Sequence, residues 1–289
     1  MSCVLELQNI GFTYGLGTPF EKRAVDGVSL KIEKGEFIGV IGHTGSGKST
    51  LVQMLNGLIR PTDGRVLLDG RDIWEQPKKI RDVRFRVGMV FQYPEYQLFE
   101  ETVYKDIAFG AVNKGLEGEA LDKAVRDAAA FTGVKESHLE KSPFDLSGGE
   151  KRRVAIAGVI AMDPDVLVLD EPTAGLDPMG REILLSQIVN YHKQRGTTVL
   201  LVSHTMEDIA RVADRILVMN RGCPEMFEAT KKVFAQGEKL REMGLRVPQI
   251  TTITETLRQR GMNVPDGVLT VDEAVDVLLP LLKKEGRTW

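Results

Sequence analysis

GHTGSGKST, at residues 42–50, is the most informative segment of this chain. It follows a compact apolar run, EFIGVIG (36–42), and its end opens KSTLVQMLNGL (48–58), where apolar residues recur with helical spacing. Between a buried strand and a helix, the pattern G-x-x-x-x-G-K-[S/T] predicts a loop whose backbone N–H groups hold phosphate. Lys48 is expected to reach the β- and γ-phosphates of a nucleotide, and the Ser49 hydroxyl to bind Mg²⁺. We assign the whole loop to nucleotide binding: Gly42, His43, Thr44, Gly45, Ser46, Gly47, Lys48, Ser49 and Thr50.

A second apolar run, VLVLDEP (166–172), ends in two carboxylates. Ligands bind beyond the carboxyl ends of strands in parallel sheets. Asp170 is therefore placed to hold the water shell of a metal ion, and Glu171 to polarise an attacking water. An Asp-Glu pair after a strand is, by itself, often a solvated loop. Combined with the phosphate loop, it predicts a nucleoside-triphosphate hydrolase.

Buried strands and helical segments alternate along the chain, and TVLLVS (198–203) and RILVM (215–219) continue the series. This alternation predicts an α/β fold with a mostly parallel sheet covered on both faces. Short alternating runs over residues 3–41 predict further strands and turns at the N-terminus. Residues 101–132 are predicted to be helical, with one break near Gly115–Gly118.

The character of the sequence changes at about Gly222, after which we expect helices and no further buried strand. Thr270 and Glu273 form a capping-box pattern, and Pro280 should end or kink the helix that follows them. We predict a nucleotide-hydrolysing domain over residues 1–222 and a small helical C-terminal domain over residues 223–289.

The composition is that of an ordinary globular protein, with 42% hydrophobic and 27% charged residues and a formal net charge of −3. Nothing in this balance favours nucleic acid as a partner, and the nearest basic cluster is Lys151–Arg153. The two cysteines suggest a reducing compartment. No apolar stretch approaches the ~18 residues needed to span a bilayer, and the N-terminus lacks a secretory signal. We therefore expect a cytoplasmic chain whose membrane role, if any, comes through partners.

A second glycine-containing helix start occurs in LSGGEKRRVAIAG (146–158). Ser147, Gly148 and Gly149 expose free N–H groups and a helix dipole to an anion, but no lysine accompanies them. An isolated Ser-Gly-Gly would by default be a serine cap with a bend. In a chain that already has one phosphate loop, the economical interpretation is that this second start completes the nucleotide site of another chain.

The segment Leu146–Gly149, taken together with Gly42–Thr50 and Asp170-Glu171, closely resembles the ATP-binding cassette (ABC) family. Further matching motifs follow in the family's order: Gln92 after a strand, AGLDP (174–178), and VSHTMED (202–208). The resemblance covers about residues 3–222. It implies a P-loop core with an N-terminal antiparallel β-subdomain and a helical subdomain at about residues 93–162.

The same resemblance implies roles for several residues to which the local sequence alone assigns none. Gln92 would contact Mg²⁺ and the attacking water, His204 the γ-phosphate, and Asp177 the opposite face of a dimer interface. Tyr14 stands where the family places an aromatic side chain against adenine. Without the family, His204 would be weighed as a helix-terminal or core histidine and Tyr14 as an ordinary strand aromatic. Glu150 departs from the usual glutamine, for which we expect at most a modest effect.

The loop FQYPEYQLFEETV (91–103) mixes aromatic side chains and carboxylates after Gln92. One interpretation is that its apolar side chains pack inside the helical subdomain. The other, which the family favours, is that Tyr93–Glu101 docks a transmembrane scaffold subunit, since aromatics beside charges suit interfaces. The sequence of this loop, together with GTPFEKRAVDGVSL (17–30), is similar to that of the second of the two ATPases of energy-coupling factor (ECF) transporters.

This resemblance implies an ATP- and Mg²⁺-dependent importer subunit that pairs with a sister ATPase or with itself on the cytoplasmic face of the membrane. A separate membrane component would capture a vitamin or a transition-metal ion, and the C-terminal helices would help to pair the ATPases. One departure is GCPEMFEAT (222–230), which replaces the glycine-containing hairpin of many relatives.

Three other functions remain open. A conventional homodimeric importer ATPase is the nearest, although it would lack the ECF-like loop. A soluble ABC protein acting on ribosomes would usually carry two cassettes in one chain. A chromosome-organising ATPase needs a long coiled coil between the phosphate loop and the segment Leu146–Gly149. Ser49 and Ser147 lie only 147 − 49 = 98 positions apart, which leaves no room for one.

Overall fold

The computed structural model describes residues 2–284, and within them the chain forms two sheets and a set of helices. The strands are β1 (Cys3–Tyr14), β2 (Lys22–Glu33), β3 (Phe37–Ile41), β4 (Asp63–Leu68), β5 (Arg71–Asp72), β6 (Val87–Val90), β7 (Val166–Asp170), β8 (Thr198–Val202), β9 (Arg215–Asn220) and β10 (Cys223–Ala229). The helices are α1 (Lys48–Leu55), α2 (Ile80–Arg86), α3 (Val103–Lys114), α4 (Gly118–Thr132), α5 (Gly148–Ile160), α6 (Pro178–Arg195), α7 (Met206–Val212), α8 (Thr230–Phe234), α9 (Gly237–Glu242), α10 (Gln249–Gln259) and α11 (Val271–Lys284).

The six-stranded core sheet has the order β10-β9-β3-β8-β7-β6, and its pairs are parallel except for the β9–β10 edge. Every residue of β3, β7 and β8 is buried. Their uninterrupted apolar runs are what a parallel sheet covered on both faces requires. The predicted α/β fold is confirmed, and it brings the ends of β3 and β7 to one edge of the sheet.

The second sheet is four-stranded and antiparallel, in the order β2-β1-β4-β5. Its strands alternate buried and exposed positions, as strands with one solvated face do. This sheet is the predicted N-terminal β-subdomain. The β1–β2 hairpin lies beside the phosphate loop, since Ala24 of β2 packs against Gly47.

The helical subdomain consists of α3, α4 and α5, which pack against one another around residues such as Ile107 and Val125. The predicted break is confirmed, because Gly115 caps α3 with φ of 98°. The first helix is shorter than its apolar pattern suggests. It ends at Leu55, because Asn56 caps it and Gly57 turns the chain with φ of 69°.

The expectation that only helices follow Gly222 is wrong, since the mostly exposed strand β10 pairs antiparallel with β9 and extends the core sheet. Arg221 (φ 49°) and Gly222 (φ 86°) form the two-residue turn, and positive φ at both positions is what a tight hairpin needs. Pro224 and the single well-buried side chain, Met226, disguise this strand in the sequence. Proline is tolerated there because β10 is an edge strand.

The C-terminal helices divide between two cores. Val233 and Phe234 of α8 and Leu240 of α9 belong to the main core, whereas Val264 and Ala274 belong to a small cluster with α10 and α11. The predicted capping box at Thr270 and Glu273 is present. Helix α11 does not end at Pro280 but continues to Lys284. The dimer contact assigned to residues 223–289 stays a prediction.

Among residues 2–284, no helix combines the length and the apolar character that crossing a bilayer demands.

Candidate nucleotide site

The phosphate loop connects β3 to α1 and is shaped by glycines that no other residue could replace. A Cβ on Gly42 would lie 2.3 Å from the carbonyl oxygen of Met219. Gly47, with φ of 96°, caps α1, and a Cβ there would lie 2.4 Å from the carbonyl oxygen of Ala24. The loop is therefore clamped between the end of β9 and strand β2, with the first N–H groups of α1 available to an anion.

Lys48 lies inside the curve of this loop. Its ammonium group donates to the carbonyl oxygens of Gly42 at 2.7 Å and His43 at 3.0 Å, and the residue is buried. Burial lowers the pKa of Lys48, while the carboxylates of Glu171 and Asp170 act in the opposite direction. The sequence-predicted phosphate ligand is therefore pre-positioned by the loop's own backbone.

A cavity of about 180 Å³ runs from the phosphate loop to Tyr14. The Tyr14 hydroxyl lies 3.1 Å from the Thr50 hydroxyl, and the Tyr14 ring packs edge-on against Phe12 at 4.8 Å between ring centroids. Complete small-molecule sites are typically larger, on the order of 300–1,000 Å³. The cavity within this chain is thus smaller than a typical complete ligand site.

Lys22 lines the same cavity and was missed by the sequence argument. It is the cross-strand neighbour of Tyr14 in the β1–β2 pair. The pairing register that places it there depends on irregularities in β1 that no local pattern reveals.

Asp170 and Glu171 lie where β7 ends. Burial raises the pKa of Asp170, and the Ser49 hydroxyl and Lys48 oppose that effect. Glu171 adopts a left-handed backbone conformation, with φ of 53°, and its N–H donates to the carbonyl oxygen of Val202 at 3.0 Å. A non-glycine residue in this conformation is uncommon and is often found at functional sites.

Glu171 and His204 form a close pair. One carboxylate oxygen of Glu171 lies 2.6 Å from Nδ1 of His204. The two residues meet because β7 and β8 are parallel neighbours, with Asp170 opposite Val202, so both strands end at one edge of the sheet. The His204 side chain is 70% exposed, which excludes the core-histidine interpretation. Burial raises the pKa of the Glu171 carboxyl, and His204 partly offsets that increase.

The residues around Asp170 fit Mg²⁺. A carboxylate and the Ser49 hydroxyl provide hard oxygen donors, and Mg²⁺ sites usually combine one or two such side chains with water and substrate phosphates. No group of three or more His, Cys, Asp or Glu side chains within residues 2–284 could hold a metal without the nucleotide. Gln92 follows β6, the strand beside β7, and is exposed at the same edge.

Ser147 is the N-cap of α5, and its hydrogen bonds involve Glu150. The Ser147 N–H donates to Oε2 of Glu150 at 3.0 Å, and the Ser147 hydroxyl donates to the same oxygen at 2.7 Å. These hydrogen bonds lower the pKa of the Glu150 carboxyl. The hydroxyl donor of Ser147 is therefore taken by a carboxylate of its own helix, and its predicted contact with a phosphate stays a prediction.

On the prediction that Ser147 completes the nucleotide site of another chain, Glu150→Gln should tighten ATP binding about fivefold, because a like charge worth roughly 1 kcal/mol leaves the neighbourhood of the triphosphate. The amide oxygen of the new side chain can still accept the Ser147 hydrogen bonds. Titration of a nucleotide analogue into the ATPase dimer measures the change, with Glu136→Gln as a control in which an exposed carboxylate of the same subdomain is removed. Equal affinity in all three proteins would contradict the prediction.

Asp177 caps α6 in its own chain and accepts a hydrogen bond from the Gly180 N–H at 3.0 Å. Its predicted reach across a dimer interface stays a prediction. Two further residues of the phosphate loop face the protein itself: His43 Nε2 lies 3.2 Å from Oδ1 of Asn220, and Ser46 Oγ is buried. Their predicted part in nucleotide binding stays a prediction.

A phosphate loop after β3, a buried aspartate at the end of β7 with a half-buried glutamate after it, and a histidine after β8 define a P-loop nucleoside triphosphatase. The comparisons then identify the family. The family model described as "ABC transporter" matches residues 25–174. The chain is 50% identical to the energy-coupling factor transporter ATP-binding protein EcfA2 of Caldanaerobacter subterraneus over 96% of this chain and 98% of the relative. It is also 50% identical to the protein of that name from Clostridium perfringens, over 98% and 99% of the two chains.

Solved structures agree with this assignment. CbiO1 from Clostridium perfringens, described as part of the ABC transporter complex CbiONQ, is 39% identical, with a TM-score of 0.75 over 88% of this chain and 100% of the other. A dimeric ATP-binding cassette, MJ0796, solved with ADP and Pi, is 28% identical, with a TM-score of 0.70 over 78% and 98%. This chain therefore belongs to the ABC transporter family and, within it, to the ATP-binding proteins of energy-coupling factor transporters. It is an ATPase.

Proposed function

We propose that this chain lies on the cytoplasmic face of the membrane and hydrolyses ATP to drive an ECF-type importer. The importer takes up a vitamin or a transition-metal ion through separate membrane subunits. The observation that carries the proposal is the Glu171–His204 pair at the mouth of the phosphate loop, in a chain about half identical to ECF ATP-binding proteins over nearly its full length. A conventional importer ATPase, the nearest other candidate, shares the site but not that identity.

In the proposed reaction, Glu171 takes a proton from the water that attacks the γ-phosphorus, and the bond to the β,γ-bridging oxygen breaks, leaving ADP and phosphate. Lys48 stabilises the charge on the phosphoryl oxygens, which is the main contribution proteins make to phosphoryl transfer. His204 orients Glu171 and contacts the γ-phosphate. Mg²⁺, held through Ser49, Asp170 and Gln92, would neutralise charge on the β- and γ-phosphates.

The active form is proposed to be a head-to-tail dimer with a sister ATPase or with a second copy. The cavity at Tyr14 and Lys48 contains no residue of the Ser147 helix start, so another chain would have to provide that wall. On α11, Val271, Val275 and Leu279 recur one turn apart and are 66%, 45% and 48% exposed. This stripe is suited to contact the partner ATPase.

The docking surface is proposed to be the groove between α2 and the helical subdomain. The groove has a volume of about 540 Å³, and its apolar wall includes Phe99 and Phe109, packed edge-on with ring centroids 4.9 Å apart. Leu98 packs into the core, as the first interpretation of this loop held, whereas Tyr96 and Phe99 are 84% and 58% exposed.

The loop's carboxylates do not give this groove an acidic rim, and the charges around it are mixed. Arg81 and Arg84 of α2 line one side. On the other, Glu95 is turned inward to an arginine of α5, and Glu101 pairs with Lys105 on the surface. An apolar helix with mixed charges at its edges fits this groove better than a purely basic one.

Replacing Tyr96 or Phe99 by alanine should abolish most uptake while ATP hydrolysis by the chain persists, because each side chain contributes about 1–3 kcal/mol or more to an interface core and neither lines the nucleotide cavity. Uptake of labelled substrate and phosphate release should be measured on the same complex in proteoliposomes. Val112→Ala, which shortens an exposed apolar side chain on α3 outside the groove, is the control. Wild-type uptake in the Phe99→Ala variant would exclude the groove, which Phe99 lines, and wild-type uptake in both variants would exclude docking at Tyr93–Glu101.

A further inference from the structure

Arg152 of α5 is buried, 4% exposed, among three functional elements. Its Nε donates to Oε2 of Glu95 at 3.0 Å, and its Nη2 donates to the other oxygen of the same carboxylate. Its Nη1 donates to the carbonyl oxygens of Pro172, at 3.2 Å, and of Ala174. The guanidinium also lies over the Tyr93 ring, 5.9 Å from its centroid.

The partners of Arg152 belong to two different parts of the proposed machinery. Glu95 lies in the short 3-10 helix Pro94–Gln97, three residues after Gln92 and just before the exposed aromatic residues Tyr96 and Phe99. Pro172 directly follows the catalytic Glu171, and Ala174 lies two residues further along that loop. Arg152 itself lies on the helix that Ser147 begins. One side chain of α5 therefore contacts both the loop Tyr93–Glu101, called the docking loop below, and the loop after the catalytic base.

The geometry of a guanidinium makes these contacts interdependent. Its donors form a rigid planar fork, so Glu95 cannot shift without turning the plane in which Nη1 donates to Pro172 and Ala174. A flexible lysine in this place could follow one partner and release the other. Breaking hydrogen bonds in a buried site costs free energy, so a displacement of one loop favours a displacement of the other.

Stability alone gives little reason for this arrangement. A buried ion pair gains little over well-packed apolar side chains, since removing both charges from water costs several kcal/mol. The docking loop is moreover anchored a second time, by the buried Asp106 carboxylate, which accepts from the N–H groups of Phe99 at 3.2 Å and Glu100 at 3.3 Å. Two carboxylate anchors on one short surface loop indicate a segment whose position is specified for more than folding.

We propose that Arg152 is a positioning residue that couples the loop after Glu171 to the docking loop through the bidentate Glu95 contact. When ATP binding changes the loop that follows the catalytic base, Arg152 transfers the displacement to Glu95 and from there to the membrane-facing aromatics. Helix α5 moves together with these two loops, because Arg152 belongs to it. The inference deepens the proposed function, but its first test needs only ATP binding by this chain.

Hydrogen exchange of the backbone amides at 93–100, with and without a non-hydrolysable ATP analogue, is that test. In the wild-type chain, the analogue should change the exchange rates of this segment about fivefold or more, the lower end of typical coupling between sites. Arg152→Lys and Glu95→Gln should reduce that response to near zero. Arg153→Lys, the same change one position along α5, should respond like the wild type. If Arg152→Lys does not fold, Glu95→Gln, which keeps the arginine and a polar partner, decides the question.

A double variant and a transport measurement separate coupling from mere stabilisation. Glu95→Gln combined with Arg152→Lys should be no worse than either change alone, as expected for residues that act through one contact. In the complete transporter, substrate moved per ATP hydrolysed should fall in step with the lost exchange response. A purely structural role would lower the thermal midpoint and leave both the exchange response and the transport ratio at wild-type values, which would overturn the inference. If the ATP analogue left hydrogen exchange at residues 93–100 of the wild-type chain unchanged, the inference would also be overturned. If the wild-type chain showed the exchange response but drove no transport, only the proposed function would be contradicted.

Discussion

Steady-state ATP hydrolysis should fall by about 10²–10⁴-fold in Glu171→Gln, while ATP binding persists, because an amide cannot accept the proton of the attacking water. The substitution keeps the size of the side chain and a hydrogen-bonding atom near Nδ1 of His204, which lies 2.6 Å from the carboxylate. Nucleotide should therefore accumulate in the site, and the ATP-bound dimer should become long-lived. Phosphate release measures the first effect, and retention of labelled ATP on the protein measures the second.

The pH profile separates a base from a residue that merely shapes the site. Burial raises the pKa of Glu171 above the ordinary glutamate value, and only the ionised carboxylate can take a proton. Wild-type hydrolysis should thus decline as the pH falls through that raised pKa, and the residual activity of Glu171→Gln should lack this acidic limb. Glu182→Gln, on the exposed face of α6, should retain wild-type rate and profile. A loss of less than about tenfold in Glu171→Gln would remove Glu171 from the role of general base.

Lys48→Ala should weaken ATP binding about 10²-fold, since a hydrogen-bonded charge on the triphosphate contributes roughly 1.5–3 kcal/mol. The variant also loses the donor that satisfies the carbonyl oxygens of Gly42 and His43, so the loop itself should relax. Equilibrium binding of a fluorescent ATP analogue gives the affinity, and thermal melting with and without ATP shows whether the loss is local.

Lys34→Ala is the matched control for that change, because Lys34 pairs with Asp69 at the surface, 3.1 Å away, and does not line the nucleotide cavity. It should bind ATP as the wild type does. If Lys48→Ala retained wild-type affinity, the loop would hold its anion through backbone N–H groups alone.

Local patterns were sufficient to predict most of the nucleotide site. The phosphate loop is one continuous segment whose glycines and lysine act within a few residues of each other, and an apolar strand must deliver Asp170 and Glu171 to the same edge. The Glu171–His204 pair needed the family resemblance, because it depends on which strands are neighbours. Strand order is a long-range property that hydrophobic periodicity does not encode.

Two features that the sequence does not reveal, strand β10 and the burial of Arg152, depend on tertiary contacts. Strand β10 was not recognised because Pro224 and mostly exposed side chains hide an edge strand. Arg152 was counted within a basic cluster, yet it is buried against Glu95, and only the packing of α5 on the docking loop shows this. The Ser147–Glu150 contact is different, because it is a local capping box of the form S-x-x-E and is visible in the sequence pattern.

Affinity purification of this chain from its own cells in mild detergent, followed by mass spectrometry, tests the central proposal most directly. The proposal predicts that a homologous second ATPase, a helical membrane scaffold and at least one small hydrophobic binding protein copurify, and that the Tyr96→Ala chain loses the scaffold but keeps the ATPase. A homodimer with two large permeases would instead identify a conventional importer, and the absence of any membrane protein would contradict a role in transport.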